Sequence, residues 1–219
     1  MQSEISAIDI SFNFMNLKLN SYIKFATPAF IICILLCFSG CGKNLPEDRP
    51  TGVNSVKLLN QDSSVVNFPD DFKGKTLLLT YIYTNCPDIC PMTTHNMQMI
   101  QEQLKKDNID YVRFAELSFD PARDTPHILK EFGDIRNIDY KNFSFLTGKE
   151  QDIKSILNKM NVIAIPGDTT KTEDGNTIYF FTHTDRITLI DKDGKIRNEY
   201  RGSKTNIQQI INDIETLGD

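Results

Sequence analysis

Histidine is scarce in this 219-residue chain, with three in all, and cysteine is limited to five. A site built on imidazole or thiolate therefore has few candidates. Basic residues are also in deficit, 24 Lys and Arg against 29 Asp and Glu, for a net charge of −5. Without a cationic excess the chain lacks the electrostatic footprint of a nucleic-acid binder, and no nucleic-acid partner is expected. With 9 Pro and 11 Gly it is neither collagenous nor low-complexity, and no internal repeat is visible. Crossing a bilayer takes roughly 20 apolar residues. Even Phe25–Gly40 offers only 16, with Thr27 and Pro28 among them. What is present is 40% hydrophobic and 24% charged, with 14 Phe and 7 Tyr spread along the chain. That composition predicts one globular domain.

The apolar run Ala29–Phe38 follows Lys18 and Lys24 and ends in Ser39-Gly40-Cys41, the outline of a short export signal. Small residues before a cysteine resemble the bacterial lipobox, although Phe38 stands where Leu is commonest. The resemblance implies lipidation of Cys41 and a mature form starting there. Glu4 and Asp9 are unusual for the charged start of a signal, and Met15 would open one of ordinary length. Cys33 and Cys37 are then apolar residues of the discarded segment. Residues 1–40 are thus expected to be a signal, 41–54 a polar tether with Pro46 and Pro50, and 55–219 the folded domain. Without residues 1–40 the chain has 179 residues and an unchanged net charge. The expected location is extracytoplasmic and membrane-anchored, on the periplasmic side or in the cell envelope.

Val56–Leu59 and Val65–Phe68 predict an N-terminal edge hairpin, and the apolar Thr76–Tyr83 a central strand covered on both faces. Met92–Lys106 predicts a helix opening near Cys90, on a loose pattern of Met92, His95, Met99 and Leu104. A second strand at Val112–Phe119, a helix at Thr125–Phe132, a short strand at Phe143–Leu146 and a helix at Glu150–Met160 continue βαβ logic. Asn161–Asn176 reads as a long irregular loop. Arg186–Ile190 and Lys195–Tyr200 make a hairpin, and Thr205–Leu217 the closing helix. Parallel central strands plus a terminal antiparallel hairpin resemble the thioredoxin fold: an α/β domain with a central mixed sheet flanked by helices.

At the junction of the first central strand and its helix stands Tyr83-Thr84-Asn85-Cys86-Pro87-Asp88-Ile89-Cys90-Pro91. A helix N-terminus favours thiolate over thiol, so these sulfurs become nucleophiles and soft metal ligands. On one helical turn both could reach a single ion, or they could close a disulfide if the turn deforms. Two thiolates leave a soft metal short of ligands. His183, at the start of the strand expected beside the dithiol loop, can close a two-sulfur, one-nitrogen site. His95 is expected to point away from the sulfurs or to pack on the sheet, and His127 to be solvated. Met92, Met97 and Met99 are read as core rather than as thioether ligands.

Cys86-Pro87-Asp88-Ile89-Cys90-Pro91, the segment Leu117–Pro126 (LSFDPARDTP), and His183 ahead of Thr188-Leu189-Ile190-Asp191 together resemble the Sco/SenC family of copper chaperones over most of residues 55–219. The resemblance implies that Cys86, Cys90 and His183 bind copper; thiolates plus imidazole in a three-ligand site suit Cu(I), with Cu(II) as a further state. It also implies a role in assembling the CuA centre of cytochrome c oxidase, the expected partner being the CuA-bearing subunit or another copper protein. Asp120 and Asp124 match the family's acidic turn, for which orientation of the ligands or partner contact is implied. An Asp-Pro turn followed by a helix cap accounts for them equally well. Phe181-Thr182-His183 lacks the acid that many members carry before the histidine.

Three functions remain open on the sequence. The first is a monomeric copper-transfer protein. The second is a thiol-disulfide oxidoreductase that reduces an acceptor's cysteines, with Cys86 attacking and Cys90 resolving. The third is a peroxidase, which the absence of its usual Thr and Arg pattern disfavours.

Overall fold

The computed structural model describes residues 45–167, 169–171 and 177–218. The signal segment, Cys41 and the first residues of the tether lie outside them.

Chain order runs β1 (Arg49–Pro50), β2 (Val56–Asn60), β3 (Val65–Phe68), β4 (Thr76–Ile82), α1 (Ile89–Lys106), β5 (Val112–Ser118), α2 (Pro126–Asp134), β6 (Phe143–Thr147) and α3 (Glu150–Lys159). It continues through β7 (Ala164–Pro166), β8 (Thr170–Lys171), β9 (Thr177–Ile178), β10 (Phe181–His183), β11 (Ile187–Ile190), β12 (Lys195–Tyr200) and α4 (Ile207–Leu217). Eight strands form one mixed sheet in the order β1-β12-β11-β4-β5-β6-β2-β3. β4, β5 and β6 run parallel, and β11 and β12 pair antiparallel on one side. This is the thioredoxin-like arrangement, with the β2/β3 hairpin at the far edge.

The central position of β4 follows from its composition. All seven of its residues are buried, and a strand sandwiched between helical layers has no polar face to offer. The inward face of α1 carries Cys90, Thr93, Thr94, Met97, Ile100, Gln101 and Leu104, spaced three and four apart. Its last turn holds Lys105 and Lys106, which complement the negative end of the helix. α2 begins with Thr125 as cap, its hydroxyl accepting from Ile128 N–H, and Pro126 in the first turn.

Three expectations are corrected. The folded part begins before residue 55: Arg49 and Pro50 pair with Ile196 and Lys195, Thr51 is buried, and Leu45 and Val53 pack on the core. Polar composition concealed these few anchoring contacts. The stretch read as one irregular loop contains β7 and β8, and β7 pairs with β10. Residues 168 and 172–176 of that stretch lie outside the described residues. Finally, Met97 is core, but Met92 and Met99 are 43% and 40% exposed, because the buried stripe of α1 runs through Cys90 and Met97. Among the described residues, no helix is long and apolar enough to cross a membrane.

Candidate metal centre

The dithiol loop leaves the C-terminal end of β4, where ligand sites of open α/β sheets gather. Cys86 precedes α1 and Cys90 lies in its first turn, so the two are not on one helical face as the spacing suggested. The loop turns at once, Cys86 N–H donating to the Tyr83 carbonyl at 3.2 Å. Asp88, at the cap position, makes no side-chain capping bond. One of the helix's free N–H groups, that of Cys90, instead points at Cys86 Sγ, 3.4 Å away. Both cysteines are free thiols and buried, at 8% and 1% exposure.

His183 ends β10, which belongs to a separate two-stranded sheet with β7 rather than to the start of β11. It is four residues further from the main sheet than the sequence suggested. The ring nevertheless reaches the sulfurs, with Nε2 3.8 Å from Cys90 Sγ. One ligand atom from each of Cys86, Cys90 and His183 lies within 4.8 Å of the others. That span is about twice a metal–thiolate bond of ~2.3 Å, so one ion fits between them with little movement.

The orientation of the imidazole is settled by its other nitrogen. Nδ1 faces the Thr184 carbonyl at 3.1 Å, and a carbonyl only accepts, so Nδ1 carries the proton and Nε2 turns to the sulfurs. Thr182, not an acid, precedes the histidine, and a backbone oxygen is the partner of Nδ1. Aromatic rings enclose the imidazole: Phe119 lies 5.0 Å and Tyr83 5.9 Å from it, centroid to centroid. Phe181 closes the cluster, 5.1 Å from each of those two rings.

The electrostatics favour one thiolate in the metal-free pair. Hydrogen bonding from Cys90 holds the Cys86 thiol well below the usual range. Burial opposes this, while His183 and the backbone N–H groups of Cys90 and Asp88 reinforce it. Cys90 is driven up, first by that same bond to Cys86 and then by burial. Burial also works against a cationic His183, yet the Cys86 sulfur and the Thr184 carbonyl outweigh it and raise its pKa. The result is a nucleophilic, soft-metal-binding sulfur beside a proton-bearing neighbour.

The other candidates separate cleanly. His95 and His127 are exposed on α1 and α2. Asp124 is fully buried and accepts from Thr84 N–H at 3.1 Å, Thr84 Oγ at 2.6 Å and Ser118 Oγ at 2.6 Å. It therefore anchors the start of the dithiol loop and does not cap α2, a task that falls to Thr125. Asp120 pairs with Arg123 and accepts from Tyr179 Oη at 3.0 Å. Neither carboxylate belongs to the cluster of ligand atoms. The sequence reading missed Asp185, which ties the segment after His183 to Thr93 of α1 at 3.2 Å and to the Ser203 hydroxyl at 2.6 Å. It also missed Glu116 of β5, buried beneath α1 and accepting from Thr94 Oγ at 2.8 Å. A lone acid in an apolar strand, Phe114-Ala115-Glu116-Leu117, was the available signal for the latter.

The SCO1/SenC family model matches residues 47–219. Among solved structures, a SCO1/SenC family lipoprotein from Bacillus anthracis str. Ames is 29% identical, with a TM-score of 0.66, over 81% of this chain and 99% of that one. BsSco, described as a member of the Sco family of cytochrome c oxidase assembly proteins with a disulfide switch, is 29% identical at TM-score 0.64, over 80% and 98%. ScoI of Bradyrhizobium japonicum, solved with copper bound, is 27% identical at TM-score 0.63, over 75% and 98%. A match running from the docked N-terminal segment through the dithiol loop to α4 places this chain in the SCO1/SenC family.

Proposed function

We propose that the protein is a copper chaperone that carries its cargo on Cys86, Cys90 and His183 and hands it to the CuA centre of cytochrome c oxidase. It works on the extracytoplasmic side of a membrane, tethered through acylated Cys41. The observation that carries this reading is the convergence of two sulfurs and one imidazole nitrogen within 4.8 Å. Two thiolates and an imidazole in a three-ligand set suit Cu(I), whereas a structural zinc site takes a fourth protein ligand. No fourth Cys, His, Asp or Glu joins the cluster among the described residues. Copper in ScoI and the oxidase-assembly description of BsSco support the cargo and its destination. The lipoprotein description of the Bacillus anthracis protein supports the tether.

The chemistry asked of this chain is ligand exchange. Thr184 keeps the Nε2 lone pair aimed at the sulfurs, the Cys86 thiolate is available at neutral pH, and loading displaces the proton held by Cys90. The partly buried imidazole is more exposed than either of the two buried sulfurs. It is the ligand an incoming acceptor displaces first.

Competition of the reduced protein against a Cu(I) chelator tests this reading. His183→Ala is expected to weaken Cu(I) retention by about tenfold or more while leaving thiol-disulfide exchange nearly unchanged. Equal affinity in the variant removes His183 from the site. The lowered Cys86 thiol supports a second reading, a thiol-disulfide oxidoreductase in which Cys86 attacks and Cys90 resolves. Failure of the reduced wild type to compete even with a moderate chelator would favour it.

A further inference from the structure

The turn Asp120–Asp124 touches neither sulfur nor imidazole, yet it grips the segments that carry both. On one side Asp124 takes Thr84, two residues before Cys86, by its backbone N–H and its hydroxyl. On the other, Asp120 accepts from the Tyr179 hydroxyl, and Arg123 donates to the Tyr179 carbonyl at 3.4 Å. The Arg123 guanidinium also lies over the Tyr179 ring, 3.8 Å from its centroid. Tyr179 stands two residues before β10 and four before His183. The turn itself is tight: Arg123 N–H and Asp124 N–H both donate to the Asp120 carbonyl, and the Asp120 carboxylate pairs with Arg123.

This grip matters because β10 is three residues long and, among the described residues, pairs with β7 alone, outside the main sheet. Sheet hydrogen bonds therefore do not fix where His183 sits relative to Cys86 and Cys90. Downstream, Asp185 holds the chain to α1 and the Ser203 turn. Upstream, Gly167 N–H donates to the Phe180 carbonyl at 2.7 Å on the β7 side, and the ties toward the sulfur loop are Phe181 N–H to Tyr83 Oη at 3.4 Å and the clasp on Tyr179.

We propose that Asp120 and Arg123 are positioning residues for His183: they clasp Tyr179 so that one five-residue turn sets the spacing between the sulfur loop and the imidazole strand. The inference rests on the ligand set of the proposed function. A clasped hairpin holds the imidazole at bonding distance, and an opened one leaves the cargo on two sulfurs, a two-coordinate state suited to transfer.

Copper K-edge absorption of the Cu(I)-loaded full-length protein, combined with chelator competition, tests the clasp. Arg123→Ala is expected to lose imidazole scattering while keeping both sulfurs, and to bind Cu(I) about 10–100-fold more weakly, the usual cost of losing a group that orients a ligand. Tyr179→Phe removes only the hydroxyl bond to Asp120 and is expected to show a smaller loss of the same kind. It decides the matter if Arg123→Ala does not fold. Full imidazole scattering with wild-type affinity in the folded variants overturns the clasp alone. A wild type whose copper shows no imidazole overturns the ligand set and the clasp together, and His183→Ala, measured alongside, marks the scale of complete imidazole loss.

Discussion

Glu116 is the residue whose behaviour departs furthest from its type. It is fully buried on β5, and one carboxyl oxygen, Oε1, has no partner while the other accepts from Thr94. Burial pushes its pKa from 4.5 up to about 8, against the hydrogen bond from Thr94 and the charge of Arg136. The folded state thus retains a proton that the unfolded chain gives up near 4.5. Its contribution to stability is complete below about pH 4.5 and is lost progressively as pH climbs to about 8, at a slope of about 1.4 kcal/mol per unit. Glu116→Gln keeps an acceptor for Thr94 and cannot ionise. In urea unfolding of the reduced, metal-free protein, the stability lost by the wild type between pH 5 and pH 8 is expected to shrink in the variant. Parallel pH profiles would show that Glu116 ionises as freely folded as unfolded. The lone acid in an apolar strand is the one trace of this in the sequence; the shift itself depends on a helix laid over the strand.

Among the elements, the short connections carry more of the site than the regular structure does. β4 and α1 were legible from an apolar run and a dithiol followed by helical spacing, and their boundaries fall within a residue or two of expectation. The link that aims the dithiol loop was not legible, since Asp124 and Thr84 are 40 positions apart. Asp124→Ala leaves one backbone N–H and two hydroxyls without their acceptor, and two of those three donors belong to Thr84 at the start of the dithiol loop. A loss of about 2–4 kcal/mol is expected, read as a lower urea midpoint at unchanged slope. A change within 0.5 kcal/mol would mean that water replaces the carboxylate at no cost, and that the loop holds its own shape.

Across the whole molecule, folding exposes a redox choice. Oxidation of the Cys86 thiolate and the Cys90 thiol to a disulfide removes two electrons and one proton and leaves neither sulfur as a thiolate ligand, so the disulfide form cannot hold a soft metal. Protein oxidised with a thiol-specific reagent is expected to take up no Cu(I) in the chelator competition and to recover binding on reduction. Equal loading of both forms would abolish this gate. The net charge of −5 adds no steering toward polyanions. On the β7/β10 side of the site, Ile163, Ile165 and Phe180 are each more than half exposed.

Local information determined a great deal of this protein. Alternation, apolar runs, caps and the Cys86–Cys90 spacing are properties of neighbouring residues, and they specified the mixed sheet, its helices and a dithiol at a strand-to-helix junction. Only the tertiary structure decided that β7 takes β10 out of the main sheet, that the Thr184 carbonyl sets the His183 tautomer, and that Asp120, Arg123 and Asp124 join the two halves of the site. Each of those outcomes depends on groups tens of residues apart meeting at hydrogen-bond distance. Such meetings are fixed by packing of the whole chain, and sequence periodicity carries no trace of them.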